Sequence, residues 1–99
     1  MPNESFEWEV IYHKEVDEDL KGVGPSAARR IIKTINKKLT SEPERFGAPL
    51  SHHLKDFRKL RVGDFRVVYQ VVRKKVIVFV LAVGPRRDKE IYRTVSYRV

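Results

Sequence analysis

The stretch LKDFRKLRVGDFRVVYQVVRKKVIVFVLAVG, residues 54–84, carries the strongest structural signal in the chain. It holds three runs rich in β-branched and aromatic residues, which are Leu54–Val62, Phe65–Val72 and Val76–Gly84. The breaks between these runs are short, Gly63-Asp64 and Arg73-Lys74-Lys75. Breaks of two or three residues suit hairpins, so the stretch predicts three strands in an antiparallel meander.

The residues before this stretch predict one more strand and two helices. Apolar side chains recur at every second position from Phe6 to Tyr12, which is the period of a strand with one buried face. Residues 14–21 have Val16 and Leu20 four positions apart among charges, which predicts a short helix ended by Gly22 and Gly24. A second helix runs from Pro25 to Leu39 with one apolar stripe. Residues 40–53, with Pro43, Gly47 and Pro49, predict a loop.

These elements predict a small two-layer α+β domain in the order β-α-α-β-β-β. Two N-terminal helices pack on a largely antiparallel four-stranded sheet, because each layer has only the other to bury against. A short segment or helix follows at the C-terminal end. Ninety-nine residues support one hydrophobic core, so we expect a single domain over residues 1–99. The second face of the sheet is then exposed.

The alternation of side chains along the strands predicts what that exposed face carries. Along the run that ends at Val62, Lys59 and Arg61 point away from the side of Val62. Along the next run, Arg66 points away from the side of Phe65. If Val62 and Phe65 face the helices, then Lys59, Arg61 and Arg66 converge on the open face.

Charge is distributed unevenly along the chain. There are 21 Lys and Arg residues against 13 Asp and Glu, a net charge of +8. Residues 1–20 hold seven acidic residues and one lysine, a net −6, so the other 79 residues carry +14. This surplus costs self-repulsion and favours a polyanionic partner, nucleic acid first and an acidic protein second. The polar side of the second helix carries five cations and no acid, and it is either a solvated face or a phosphate-contact surface.

The sequence argues against a metal site, a cofactor, a membrane span and a secretory signal. The chain has no cysteine, and its three histidines lack a His-x-x-x-His spacing, so we expect neither a metal site nor a cofactor. The longest apolar run has eight residues, far short of the ~20 that span a bilayer. The acidic N-terminal residues show no secretory signal, so we expect a cytoplasmic protein.

Residues 60–93, LRVGDFRVVYQVVRKKVIVFVLAVGPRRDKEIYR, resemble the RelE/ParE superfamily of bacterial and archaeal toxins from toxin-antitoxin modules. Within them, RVGDFRVVYQV and VGPRRDKEIYR look specifically like the RelE branch, and the resemblance covers nearly the whole chain in element order. It implies an endoribonuclease that enters the ribosomal A site and cuts messenger RNA there. It also implies an acidic antitoxin partner similar to RelB, in a toxin-antitoxin hetero-oligomer.

The resemblance further implies a set of catalytic residues. The family's arginine just after the hairpin falls on Arg66, and its lysine seven residues earlier falls on Lys59. The arginine after the last strand falls on Arg86, and the tyrosine six residues later falls on Tyr92. The remaining cations near these positions, which we expect to contact RNA, are Lys55, Arg58, Arg61 and Arg87, together with Arg29, Arg30, Lys33 and Lys37 of the second helix.

The implied chemistry suits cations, but it leaves the general base open. Attack by the 2′-OH of the RNA adds negative charge to the phosphorus centre, and fixed arginines can neutralise that charge. Many enterobacterial members of the family carry a second lysine two residues before the first, where this chain has Phe57. Arg58 or Lys55 would then supply the missing charge. His52 and His53 titrate near neutrality and are a second possibility, although the catalytic histidine of some branches lies near the C-terminus, where this chain has none.

Two other functions compete with RNA cleavage. The ParE branch shares the fold and inhibits DNA gyrase without nuclease activity, but it usually lacks the set Lys59, Arg66, Arg86 and Tyr92 taken together. The third possibility is a module that binds RNA without cutting it, and such a module would show binding that weakens strongly with salt.

Overall fold

A computed structural model of the protein describes residues 7–50, 57–87 and 90–99. In chain order the elements are β1 (Glu9–Tyr12), α1 (Val16–Val23), α2 (Pro25–Lys38), β2 (Ala48–Pro49), β3 (Phe57–Val62), β4 (Phe65–Val72), β5 (Ile77–Pro85) and α3 (Glu90–Arg98). Across these three ranges, no helix is both long enough and apolar enough to cross a membrane.

The strands form one mixed sheet in the order β1-β5-β4-β3-β2. β3, β4 and β5 make the predicted antiparallel meander, and β1 lies parallel to β5 at one edge. The fifth strand, β2, pairs antiparallel with β3 at the other edge. The prediction of four strands was therefore one short, because β2 has only two residues and lies inside the segment predicted to be a loop.

The two hairpin connections differ. Gly63 in the β3–β4 turn has a φ of 59°, a left-handed conformation that glycine adopts at little cost. The β4–β5 connection is a 3₁₀ turn, Arg73–Lys75, followed by Val76 with a φ of 55°. Because Val76 completes this turn, the last strand begins at Ile77 rather than at the predicted Val76. A β-branched residue is strained in that conformation.

α1 and α2 cover the first face of the sheet. Their buried side chains Val16, Ile31, Ile35 and Leu39 pack against Leu60, Val62, Val67, Tyr69, Val78, Val80 and Val83. Trp8 is half-buried against the same cluster. The apolar stripe predicted for the second helix thus faces the sheet, and burial of both surfaces is the main stabilising contribution to the fold.

The second face is not wholly exposed, contrary to the prediction. α3 lies on it, and Ile91 and Val95 of that helix form a buried cluster with Phe57, Val68, Leu81 and Ala82. A register shift lets Val68 pair with Ala82 while Tyr69 pairs with Val80, so Leu81 is an extra residue in β5. This bulge places two successive apolar residues, Leu81 and Ala82, in the same cluster. An amphipathic helix covers them, and the part of this face that carries Arg61 stays open.

The segment between α2 and β3 is held by long-range hydrogen bonds. The buried Tyr69 hydroxyl lies 2.7 Å from the carbonyl oxygens of both Pro43 and Phe46. The Arg58 guanidinium donates to the carbonyls of Phe46 and Gly47, each at 3.2 Å. These contacts bring the segment against β3 and allow β2 to pair there.

Candidate phosphate site

Four cations, three from two strands and one that directly follows a third strand, line one cavity of about 290 Å³ on the open part of the second face. They are Lys59 and Arg61 of β3, Arg66 of β4, and Arg86 just after β5, and the backbone segment Gly47-Ala48 completes the wall. We refer to this site as the cation cavity. The predicted convergence of Lys59, Arg61 and Arg66 on one face is therefore observed, and Arg86 joins them.

The strand register explains why these charges meet. Arg61 lies directly opposite Arg66, and Lys59 lies opposite Val68, which belongs to the α3 cluster. Like charges directly opposite one another destabilise a sheet. No acid is among the residues that line the cation cavity in the described part of the chain. The arrangement therefore favours an anion as the ligand.

Arg86 is held at its position through the backbone. β5 continues as far as Pro85, which pairs with Phe65, and the Arg86 N–H donates to the carbonyl of Asp64 at 2.8 Å. Its side-chain Nε is buried and makes no hydrogen bond within the described residues. Buried donors normally have an acceptor, so this nitrogen suits an anionic oxygen entering the cavity.

Tyr92 reaches the same site from α3. The Arg66 guanidinium donates to the Tyr92 hydroxyl at 2.6 Å and lies 5.4 Å from the centroid of the Tyr92 ring. The hydroxyl accepts this hydrogen bond, so its own proton remains free to be donated. The four residues predicted to be catalytic thus lie together, with Tyr92 beside the cavity through Arg66.

Phe57, which stands where many family members have a lysine, is buried. It is 7% exposed and packs in the cluster beneath Ile91 and Val95 of α3. A lysine would place an ammonium among apolar side chains at this position, which is costly without a partner. The site therefore has an apolar contact to α3 at position 57.

Several residues predicted to contact RNA lie elsewhere. Arg58 is directed at the carbonyls of Phe46 and Gly47 and is not among the residues lining the cation cavity. Arg87 is exposed and lines a neighbouring cavity of about 430 Å³ with Asp64, Phe65, Pro85 and Arg86. The α2 cations Arg29, Arg30, Lys33 and Lys37 are exposed on the helical layer. Lys55, His52 and His53 lie outside the described residues.

Sequence reasoning missed the backbone wall of the cavity. Gly47 has a φ of 75°, and a side chain there would bring its Cβ to 2.6 Å from the Lys59 carbonyl oxygen and 2.8 Å from the Tyr69 hydroxyl. The only signal in the sequence is a glycine beside two prolines in a predicted loop. Over residues 7–50, 57–87 and 90–99, no group of three or more His, Cys, Asp or Glu side chains is placed to hold a metal ion.

Comparisons with known proteins identify the family of the chain. A family model described as the ParE toxin of the type II toxin-antitoxin system parDE matches residues 10–90. The mRNA interferase toxin RelE of Escherichia coli (strain K12) is 46% identical over 41 residues, which are 41% of this chain and 43% of that protein. The mRNA interferase RelE of Shigella flexneri gives the same values. The match spans less than half the length of these curated relatives.

Solved structures share the fold over most of the chain. A chain of the toxin-antitoxin complex RelBE2 from Mycobacterium tuberculosis has a TM-score of 0.78 at 24% identity, covering 88% of this chain and 100% of that one. A variant of the E. coli toxin RelE in the free state has a TM-score of 0.74 at 25% identity, covering 95% and 99%. The archaeal RelE–RelB complex from Pyrococcus horikoshii OT3 gives 0.63 at 27%, covering 83% and 98%. Since the family model covers most of its length, the chain belongs to the ParE toxin family of type II toxin-antitoxin systems, within the RelE/ParE superfamily.

Proposed function

We propose that residues 1–99 act as one toxin domain, a ribosome-dependent endoribonuclease that cleaves messenger RNA in the A site without a metal ion. The observation that carries this proposal is the cation cavity, in which Lys59, Arg61, Arg66 and Arg86 meet. The RelE names of the curated relatives support it, because both are described as mRNA interferases.

The proposed reaction is an internal transfer at phosphorus. The RNA 2′-oxygen forms a bond to the adjacent phosphorus while the bond to the 5′-oxygen breaks, giving a 2′,3′-cyclic phosphate and a 5′-OH. Arg66 and Arg86 neutralise the charge that develops on the non-bridging oxygens. We assign the 2′-OH proton to the neutral amine form of Lys59, which becomes an ammonium, and the protonation of the leaving 5′-oxygen to the Tyr92 hydroxyl, which becomes a phenolate beside Arg66.

The ribosome is assigned the task of positioning the RNA. The cation cavity is open on one side and supplies charge rather than an enclosed pocket for a base. Holding the 2′-oxygen in line with the leaving oxygen is worth a large part of such a barrier. The exposed cations of α2 lie on the other layer, where they are available to ribosomal RNA phosphates, so the reaction should slow as salt is raised.

A direct test uses ribosomes programmed with a defined messenger RNA. We expect the protein to cut the message at codon-phased positions, with 5′-OH ends, only when ribosomes are present. Arg86→Ala should lose the cutting, because it removes one of the phosphate ligands. Transcripts that remain whole with both proteins would reject the proposal.

A second candidate is inhibition of DNA gyrase, and the ParE description of the matching family model favours it. The discriminating measurement is supercoiling by purified gyrase in the presence of the protein. Loss of supercoiling together with intact transcripts would select this function over RNA cleavage.

The proposed partner is an acidic antitoxin, and the assignment to the cytoplasm follows from the need to meet ribosomes. Solved relatives include complexes of RelE with RelB. We expect the antitoxin to lay acidic residues over Lys59, Arg61 and Arg86 or to displace the segment that carries Tyr92. A complex whose interface leaves all of these positions bare would contradict this arrangement.

A further inference from the structure

A largely buried ion pair joins the C-terminal end of α3 to α1. Arg98 donates to both carboxylate oxygens of Asp19, at 2.7 and 3.1 Å, although 79 residues separate them. Their side chains are only 10% and 15% exposed. The hydrogen bond to Asp19 is the main reason that the pKa of Arg98 is raised, so the guanidinium stays charged. We refer to this contact as the Asp19–Arg98 bridge.

The bridge also closes the free edge of β5. β1 pairs with β5 as far as Val80, and among the described strands none pairs with β5 beyond Val80 on that side. The Asp19 carboxylate accepts the Val83 N–H at 3.0 Å, and Arg98 donates to the Leu81 carbonyl at 2.9 Å. Because both partners also bind the backbone at the bulge, the bridge has a fixed place relative to the sheet.

α3 carries its buried apolar side chains and the bridge on one face. Residues 91, 95 and 98 follow an i, i+4, i+7 spacing, so Ile91, Val95 and Arg98 share one face of the helix. A helix of nine residues is marginal by itself. Packing of Ile91, Val95 and the half-buried Tyr92 against the sheet holds the start and middle of the helix, and the bridge holds its end.

We propose that Asp19 and Arg98 are positioning residues for Tyr92. The bridge sets the orientation of α3 on the sheet, and through it holds the Tyr92 hydroxyl on the Arg66 guanidinium beside the cation cavity. The consequence for catalysis rests on the proposed nuclease function, but the consequence for Tyr92 does not.

Other ion pairs on the same helices provide matched controls. Glu18 and Lys21 on α1 form a pair at 3.3 Å whose side chains are 76% and 75% exposed. Arg93 and Glu90 on α3 form a pair at 3.7 Å with 71% and 67% exposure. Glu18→Gln and Arg93→Gln therefore remove the same charges from α1 and α3 without touching the bridge.

The first experiment observes Tyr92 directly. In protein labelled with 3-fluorotyrosine, the ¹⁹F resonance of Tyr92 is assigned by its absence in Tyr92→Phe, and Arg66→Met gives its position without the guanidinium. We expect Asp19→Asn and Arg98→Met to move this resonance to the Arg66→Met position while the buried Tyr69 resonance stays in place. The two control variants should leave it unchanged. An unmoved Tyr92 resonance in both bridge variants would overturn the proposal.

The second experiment is a double-mutant cycle on RNA cleavage. Asp19→Asn and Tyr92→Phe should each lower the cleavage rate by about 10-fold or more, and the double variant should be no slower than the slower single one. Rates that multiply would show that Asp19 acts independently of Tyr92 and would overturn the proposal.

Two further outcomes keep the conclusions separate. If the Tyr69 resonance shows that Asp19→Asn has unfolded, the variant Arg98→Lys is used in its place. Lysine keeps the charge but cannot make the forked contact. The Tyr92 resonance of Arg98→Lys must then move to the Arg66→Met position. If the wild-type protein cuts no RNA, the proposed nuclease function fails, and the ¹⁹F measurement still decides whether the bridge positions Tyr92.

Discussion

Arg66 on β4 and Tyr92 on α3 are joined by a hydrogen bond of 2.6 Å from the guanidinium to the phenolic oxygen. The two residues come from separate parts of the chain, the hairpin stretch and the C-terminal helix. Their contact links a cation of the cavity to a group that can donate a proton. It is therefore the point at which charge neutralisation and proton transfer would meet in the proposed reaction.

Replacing Tyr92 by Phe should lower RNA cleavage by about 10- to 100-fold, since a positioned proton donor contributes at about this level or above. The variant loses the hydrogen bond to the hydroxyl but keeps the ring, which still lies beside the Arg66 guanidinium, so stability should change little. The measurement is single-turnover cleavage on programmed ribosomes. Tyr97→Phe on the same helix is the control, because Tyr97 is 83% exposed; equal rates for the two variants would rule out a role for the Tyr92 hydroxyl.

Replacing Arg61 by Gln should stabilise the protein while weakening its activity. Arg61 faces Arg66 directly across β3 and β4, and relief of this repulsion is worth about 0.5 kcal/mol. Urea unfolding at low and high salt measures whether the variant is more stable than the wild type. The gain in the free energy of unfolding should shrink at high salt, since salt screens the charges. Arg45→Gln removes an exposed arginine that pairs with Glu42 and should give no gain. A destabilised Arg61→Gln would contradict the electrostatic interpretation.

Replacing Gly47 by Ala should destabilise the protein by about 2 kcal/mol, because both the left-handed backbone and the close approach to Lys59 oppose a side chain. The wall of the cation cavity should shift as well, so cleavage should fall at temperatures where the variant is still folded. Gly22→Ala is the control. Gly22 lies in α1 with open space around it, and alanine there should stabilise by about 0.5–1 kcal/mol.

The protein should lose stability at alkaline pH when the buried Tyr69 hydroxyl loses its proton. Burial raises the pKa of Tyr69 above its ordinary value of 10.0, and the hydrogen bond and charge of Arg58 oppose this only in part. The folded state therefore keeps this proton more tightly than the unfolded state. Its contribution to stability is complete below about pH 10 and falls as the pH rises further.

Tyr69→Phe tests this dependence. At pH 8 the variant should be less stable than the wild type by about 1 kcal/mol, because it lacks the hydroxyl that bonds to the loop carbonyls. As the pH rises above 10, the difference in the free energy of unfolding should narrow, since only the wild type has this proton to lose. A difference that widens with pH would show that the sign is wrong.

The three β-rich runs and the short breaks between them were sufficient to predict the meander, and the alternation of side chains was sufficient to predict that Lys59, Arg61 and Arg66 share one face. It did not predict β2, whose pairing depends on hydrogen bonds from Tyr69 and Arg58 to a distant loop. A pattern read along one segment contains no information on such contacts.

The alternation of side chains also failed to predict that α3 covers part of the second face, for a related reason. The bulge at Leu81 changes which residues of β5 face α3, and a strict period of two cannot anticipate an inserted residue. The partners Asp19 and Arg98 are likewise 79 residues apart. Such partners cannot be identified from their spacing along the chain, because only the packing of the folded chain brings them together.

The decisive observation is the rate at which Arg86→Met cuts a defined message on purified ribosomes in a single turnover, compared with Arg45→Met. If the cation cavity holds the reacting phosphate, Arg86→Met should be slower than the wild type by about 10²- to 10³-fold, while Arg45→Met should match the wild type. Cleavage by Arg86→Met at the wild-type rate would contradict the assignment of this cavity as the site of RNA cleavage.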